Sequence, residues 1–152
     1  MEILVDPLTG PEIAAFLAEH TAELRSITPP ESTHTLDLDD LRTGGATVWS
    51  VYDDGRLVGC GALKPLDAHH AELKSMRTAR SHTRRGIASA LVAHILDHAR
   101  AQGFTRVSLE TGSEEFFAPA RALYARHGFV ECAPFGSYRP DPLSTFMTRT
   151  LD

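Results

Sequence analysis

Cysteine is scarce in this 152-residue chain, where Cys60 and Cys132 are the only two. Each sits in an apolar, strand-like stretch, which argues for reduced, buried thiols and against a disulfide framework. No run of about 18 or more apolar residues exists, so no membrane-spanning helix is expected. The start, Met1-Glu-Ile-Leu-Val-Asp6, has acids at positions 2 and 6 and no basic stretch. It does not read as a secretory leader, and the expected compartment is the cytoplasm. Internal repeats, low-complexity tracts and linkers are also missing. With 42% hydrophobic and 23% charged residues, the chain reads as one domain over residues 1–152, large enough for its own core.

Acid is absent from one place in particular. Arg77, Arg80, Arg84 and Arg85 follow one another with no Asp or Glu between them. The net charge of −5 conceals a division: residues 1–72 carry −9, residues 73–106 carry +6 and residues 107–152 carry −2. A local basic centre in an acidic chain suits a compact anionic ligand. It suits nucleic acid poorly, because a polynucleotide track needs many spread phosphate contacts.

The periodicities give an α/β order with a mixed sheet flanked by helices. Glu2–Val5 is a short strand. Pro11 opens a helix that runs to about Ser26, and Pro29-Pro30 breaks it. Glu31–Leu41 is a short helix or a loop. Ala46–Tyr52 and Leu57–Leu63 form a hairpin through Asp53-Asp54-Gly55-Arg56. Asp67–His70 turns into a strand over Ala71–Thr78. Strict alternation there puts Glu72, Lys74 and Met76 on one face and Leu73, Ser75 and Arg77 on the other. Arg85–Ala101 is the strongest helix, with Ile87, Ala88, Leu91, Val92, Ile95 and Ala99 in one apolar arc. Arg106–Glu110 is a strand and Thr111-Gly112-Ser113 a turn. Pro119–His127 is a second helix, with Pro119 at its start and Gly128 at its end. Phe129–Cys132 and Thr145–Thr150 close the sheet.

The segment from Glu72 to Leu91 carries the chemistry. A strand feeds a helix through a basic turn, so several backbone N–H groups and the helix's positive end converge on one point. Such a turn holds a phosphate or pyrophosphate. Gly86, without a Cβ, allows backbone and ligand to approach closely.

These residues resemble the GNAT family of N-acetyltransferases. The family's acetyl-CoA signature, Gln/Arg-x-x-Gly-x-Gly/Ala, falls on Thr83-Arg84-Arg85-Gly86-Ile87-Ala88, with Thr83 departing from the usual first residue. About 20 residues later comes Gly-Phe-x-Arg-Val-x-Leu-Glu-Thr-Gly, followed by Ala120-Arg-Ala-Leu-Tyr124-Ala-Arg-His-Gly128-Phe129. Many members have Asn seven residues before that tyrosine, where this chain has Phe117. The resemblance implies the GNAT fold and transfer of an acetyl group from acetyl-CoA, as donor substrate, to an amine. It implies that backbone amides of Arg84, Arg85, Gly86, Ile87, Ala88 and Ser89 hold the pyrophosphate. Met76, Arg77 and Thr78 would line the pantetheine arm, with backbone groups of Met76 and Thr78 pairing with it like an added strand. One N–H there would hydrogen-bond the acetyl oxygen.

Two chemical demands remain, and each has a candidate. The resemblance places the Tyr124 hydroxyl near the sulfur, where it would protonate the leaving thiolate. Glu72, on the strand with the cofactor contacts, is the candidate general base. Glu110, at the end of the next strand, is its rival, and an ion pair with Lys74 is the plainer role for Glu72. His94 and His98 stand at i, i+4 but lack a third ligand, so no metal is expected. Trp49, Phe116 and Phe117 read as packing residues. Residues 27–43 and the loop 133–144, with Phe135, Tyr138 and Arg139, are where acceptor specificity is expected. The expected acceptor is a small-molecule amine, with a peptide amine or a non-catalytic acyl-CoA sensor as alternatives. Pairing of sheet edges makes a homodimer possible.

Overall fold

β-branched and aromatic alternation, two glycine-marked turns and two long amphipathic runs fold into a mixed sheet with helices on both faces. The computed structural model describes residues 1–27 and 38–152. The strands are β1 (Glu2–Val5), β2 (Thr47–Asp53), β3 (Arg56–Pro65), β4 (His70–Thr78), β5 (Arg106–Gly112), β6 (Val130–Glu131) and β7 (Ser144–Thr150). They lie side by side as β1-β2-β3-β4-β5-β7-β6. Among the described strands, only β4 and β5 pair in parallel; the other neighbours are antiparallel. The helices are α1 (Pro11–Ile27), α2 (Leu38–Thr43), α3 (Ile87–Ala101) and α4 (Ala118–Arg126).

Two cores follow from the two faces of the sheet. On one face, Leu63, Leu73, Val107, Leu109 and Met147 pack with Leu91, Val92, Ile95 and Leu96 of α3 and with Tyr124 of α4. On the other, Val48, Cys60 and Ala62 pack with Ile13, Phe16 and Leu17 of α1 and Leu41 of α2. The β2–β3 hairpin turns at Asp54 and Gly55, with φ of 50° and 76°, the left-handed pair that a tight two-residue hairpin loop needs.

Of the expected boundaries that move, three matter most. α3 starts at Ile87 rather than Arg85, because Gly86 has φ 77° and so caps the helix from outside it. β5 continues through Gly112, paired with Ser144 on β7, where a turn was expected. The expected helix or loop over 31–41 is described only from Leu38, where α2 begins. The breaker Pro29-Pro30 lies outside the described residues.

The alternation expected along β4 is also corrected. The β3–β4 register shifts between Cys60 and Ala62, which face Arg77 and Lys74, so β4 carries one extra residue. Ser75 has φ 56°. This is a β-bulge, and it exchanges the faces of every residue beyond it. Glu72 and Lys74 stay together, but Met76 turns onto the α3 side, where its sulfur lies with Leu91 and Ile95 beside Gly61. Arg77 turns to α1, donating to the Phe16 carbonyl at 2.7 Å. Cys60 pins the bulge by donating its thiol proton to the Ser75 carbonyl at 3.2 Å. Burial pushes that thiol up to about 12, so it keeps its proton. Cys132 is free as well and only partly buried.

Candidate active site

Parallel pairing of β4 and β5 runs from His70↔Arg106 to Leu73↔Leu109 and then stops. Beyond it, β4 bulges while β5 stays with β7. The strands fork, and a cavity of about 480 Å³ opens between them. Such a volume lies within the range of roughly 300–1,000 Å³ typical of small-molecule sites. Glu72, Glu110, Tyr124, Met76, Arg77 and Thr78, all singled out in the sequence, line it.

Tyr124 reaches the cavity from α4. It is 7% exposed, with its ring edge-on to Phe129 at 5.9 Å between centroids. Burial raises its phenol well above the usual tyrosine range, so the group is a proton donor at any working pH. Phe117 meets the cavity one stretch earlier. Its ring occupies the place where a Cβ on residue 112 would lie, 2.0 Å from such an atom. Only glycine at 112 lets this ring seat against β5, as the expected packing role requires. Phe116, also expected to pack, is instead 50% exposed.

The opposite face presents a hydrogen-bonded cluster. Glu72 is buried, 4% exposed. Its Oε2 accepts the Tyr138 hydroxyl at 2.5 Å and the Lys74 ammonium at 3.0 Å. Lys74 also donates to the Tyr138 oxygen at 2.8 Å. The ion pair expected between Glu72 and Lys74 is therefore present, with a tyrosine closing the triangle. Burial, then the Glu72 charge, raises the Tyr138 phenol far above its usual range, so its proton stays and points at Glu72. The Tyr138 ring is held by Phe135 and Phe146, at 5.2 and 5.5 Å. Glu110 lies on the same side of β5, half-buried, and its charge also bears on Tyr138.

The third wall is α1, which the sequence reading did not connect with the site. His20, Glu23 and Leu24 line the cavity. His20 Nδ1 is buried without a hydrogen-bond partner. Burial, then the nearby Arg77 charge, lowers the imidazole to about 4, so it is neutral. Nothing in the local pattern marks His20, which stands at the border of an ordinary amphipathic helix. Arg77 ties α1 to the sheet: beyond the Phe16 carbonyl, it lies 3.5 Å from Glu19 and 4.7 Å above the Phe16 ring. Its guanidinium is thus used structurally, and its backbone is paired with Cys60 of β3. Arg80 pairs with Glu23 at 3.0 Å.

Arg84, Arg85, Gly86, Ile87, Ala88 and Ser89 do not line the cavity but form the turn beside it. Arg84 and Gly86 take left-handed φ of 63° and 77°. The start of α3 has no side-chain cap, so the N–H groups of its first turn remain open to an anion. Ser89 Oγ hydrogen-bonds His127 Nε2 at 2.8 Å, which ties this turn to the end of α4. Ile87 is buried beneath it. An uncapped helix start next to a forked sheet fits a pyrophosphate with an extended arm. His94 and His98, by contrast, set their rings edge-on to Trp49, at 6.2 and 4.9 Å.

The profile of the Acetyltransferase (GNAT) family matches residues 13–129. The chain belongs to this family. GNAT enzymes use acetyl-CoA as the acetyl donor, and this chain is an acetyl-CoA-dependent N-acetyltransferase. It is 47% identical over 151 residues to the uncharacterized N-acetyltransferase YsnE of Bacillus subtilis, covering 99% of this chain and 100% of that one. The crystal structure of the "putative acyl-CoA N-acyltransferase" from Klebsiella pneumoniae superposes with a TM-score of 0.81 at 26% identity, covering 99% and 97% of the two chains. A GNAT acetyltransferase from Elizabethkingia anophelis with acetyl-CoA bound shares the fold, with a TM-score of 0.71 at 17% identity over 99% and 97%. No helix among the described residues is long and apolar enough to cross a membrane.

Proposed function

We propose that this GNAT enzyme acetylates a primary amine of a small molecule, by direct attack with both substrates bound. The fork between β4 and β5 receives the pantetheine arm, which pairs with backbone groups of Met76 and Thr78. The pyrophosphate rests on the open first turn of α3, with Arg84 and Arg85 beside it. Tyr124, on the α4 side, gives a proton to the departing thiolate. Glu72, on the α1 side, draws in the ammonium and takes its proton, so that the neutral amine attacks.

One observation carries this reading. A primary ammonium, that of Lys74, already sits against Glu72 and Tyr138 inside the cavity, so the cluster suits that functional group. The Lys74 and Tyr138 hydrogen bonds both fall on Oε2 of Glu72, and no described residue hydrogen-bonds Oε1. The cavity's volume favours a small acceptor over a peptide lying across an open groove.

The test is release of free thiol from acetyl-CoA against a panel of amino acids, arylalkylamines and polyamines beside lysine-containing and N-terminal peptides. Turnover of small amines, lost in Glu72→Gln, is expected. Turnover of peptides alone would overturn the choice of acceptor class. Turnover unaffected by Glu72→Gln would remove Glu72 from proton transfer and leave Glu110 as the carboxylate to examine.

A further inference from the structure

Arginine outnumbers lysine 13 to 2 in this chain, and the two lysines are Lys64 and Lys74. One of the two stands in the cavity wall. Lys74 is the first β4 residue beyond the last β4–β5 pair, Leu73↔Leu109, and so lies at the mouth of the fork. Its side chain is 8% exposed. Its Nζ is 3.0 Å from a buried carboxylate oxygen and 2.8 Å from a phenol oxygen. The flexible four-carbon stem of lysine lets such an amine turn from one partner to another a short distance away.

We propose that Lys74 is itself an acetyl acceptor: when no amine substrate is bound, the enzyme transfers the acetyl group of acetyl-CoA to Nζ of Lys74. This inference rests on the reading of the fork as the donor's seat and of Glu72 as the proton acceptor. Lys74 gives one proton to Glu72, which releases it to solvent. The freed lone pair forms the new C–N bond with the acetyl carbonyl carbon. The C–S bond breaks with its electron pair on sulfur. The thiolate takes a proton from Tyr124, and the second proton lost by the nitrogen as the amide forms replaces it. The products are CoA thiol, one solvent proton and an uncharged acetyl-lysine.

The consequence is a change in the site's own electrostatics. Acetylation removes the positive charge beside Glu72 and places a methyl amide at the acceptor end. A substrate amine and Lys74 therefore compete for one acetyl group. Lys64 provides an internal reference. It faces Glu72 across the β3–β4 register, yet it does not line the cavity.

The experiment uses the whole chain, incubated with acetyl-CoA and no added amine, and follows acetylation by intact mass and peptide mapping after the starting mass is recorded. The expected result is one acetyl group per chain, on Lys74, gained at least about tenfold faster than on Lys64. Glu72→Gln slows the labelling of Lys74 and leaves that of Lys64 unchanged. Lys74→Arg, which keeps the charge, takes up no acetyl group at position 74 and gains only the Lys64 background. Equal labelling of the two lysines would overturn the inference, as would wild-type protein that binds acetyl-CoA yet leaves Lys74 bare. Calorimetry separates the two failures. Acetyl-CoA binding and amine turnover with Lys74 unmodified defeats this inference alone, whereas no binding of acetyl-CoA defeats the reading of the fork as well.

Discussion

The fork has two sides, and they are made of different material. Toward α3 and α4, the walls are apolar side chains and backbone: Met76, Leu73, Leu109, Phe117 and the ring of Tyr124, with the uncapped start of α3 beyond. Toward α1 and the 133–143 loop, the walls are charged and polar side chains: Glu72, Lys74, Glu110, Tyr138 and His20. The bulge at Ser75 divides them, because it sends Met76 to the first side and leaves Glu72 and Lys74 on the second. A chain that binds an invariant donor and a particular acceptor has reason to be built this way. In the proposed reading, backbone amides and a helix start would recognise the donor's phosphates and amides whatever the neighbouring side chains. In the same reading the acceptor would be recognised by side chains.

Substitutions on each side should therefore separate donor binding from acceptor chemistry. The largest effect is expected from Glu72→Gln, which should lower kcat/KM for the acceptor by roughly 10²–10⁴-fold while calorimetry shows acetyl-CoA binding retained. Tyr124→Phe keeps the ring against Phe129 and removes only the donor. A fall in kcat of about 10²-fold is expected, with acetyl-CoA affinity again retained. An unchanged single-turnover rate would exclude Tyr124 as the acid.

On the donor side, Gly112→Ala would drive a methyl group into Phe117. Overpacking of this kind costs about 1–3 kcal/mol, and it should both lower Tm and weaken acetyl-CoA. Gly86→Val meets no neighbour within 4 Å of its Cβ but must hold φ at +77°, at a strain of about 1–2 kcal/mol. The fold should survive, and acetyl-CoA should bind about tenfold more weakly. Equal affinity would contradict the pyrophosphate placement.

The smallest effect concerns stability alone. His20 is held neutral, lowered from 6.5 to about 4. Its depressed value stabilises the fold above pH 6.5, and that contribution is lost as pH falls through 4. His20→Leu should flatten this part of the urea-midpoint profile between pH 6.5 and 4.

The difference between the two sides also explains what could be read from the sequence. The basic turn ahead of α3 was legible because its signals are local: an arginine run without acids, Gly86, and an amphipathic helix directly after. The strand order and the two helix-covered faces followed from period and turn residues. The acceptor side joins Glu72 and Lys74 of β4 with Tyr138, some 66 residues from Glu72, and with His20 of α1. No local pattern links those segments, so Tyr138 was visible only as one of three residues in a loop expected to shape acceptor specificity, and His20 was not visible at all. The bulge was missed for a related reason. Glu72-Leu-Lys-Ser-Met-Arg alternates well enough as a flat strand, and only the register against β3 and the left-handed Ser75 reveal the extra residue.

The most direct test is a crystal structure with CoA bound. The account predicts a pantetheine arm between β4 and β5 beyond Leu73 and Leu109, the pyrophosphate on the first turn of α3, and the sulfur within hydrogen-bond reach of the Tyr124 hydroxyl. Glu72 and Lys74 would then face the sulfur from the other side. An arm lying outside the fork, or a sulfur remote from Tyr124, would contradict it.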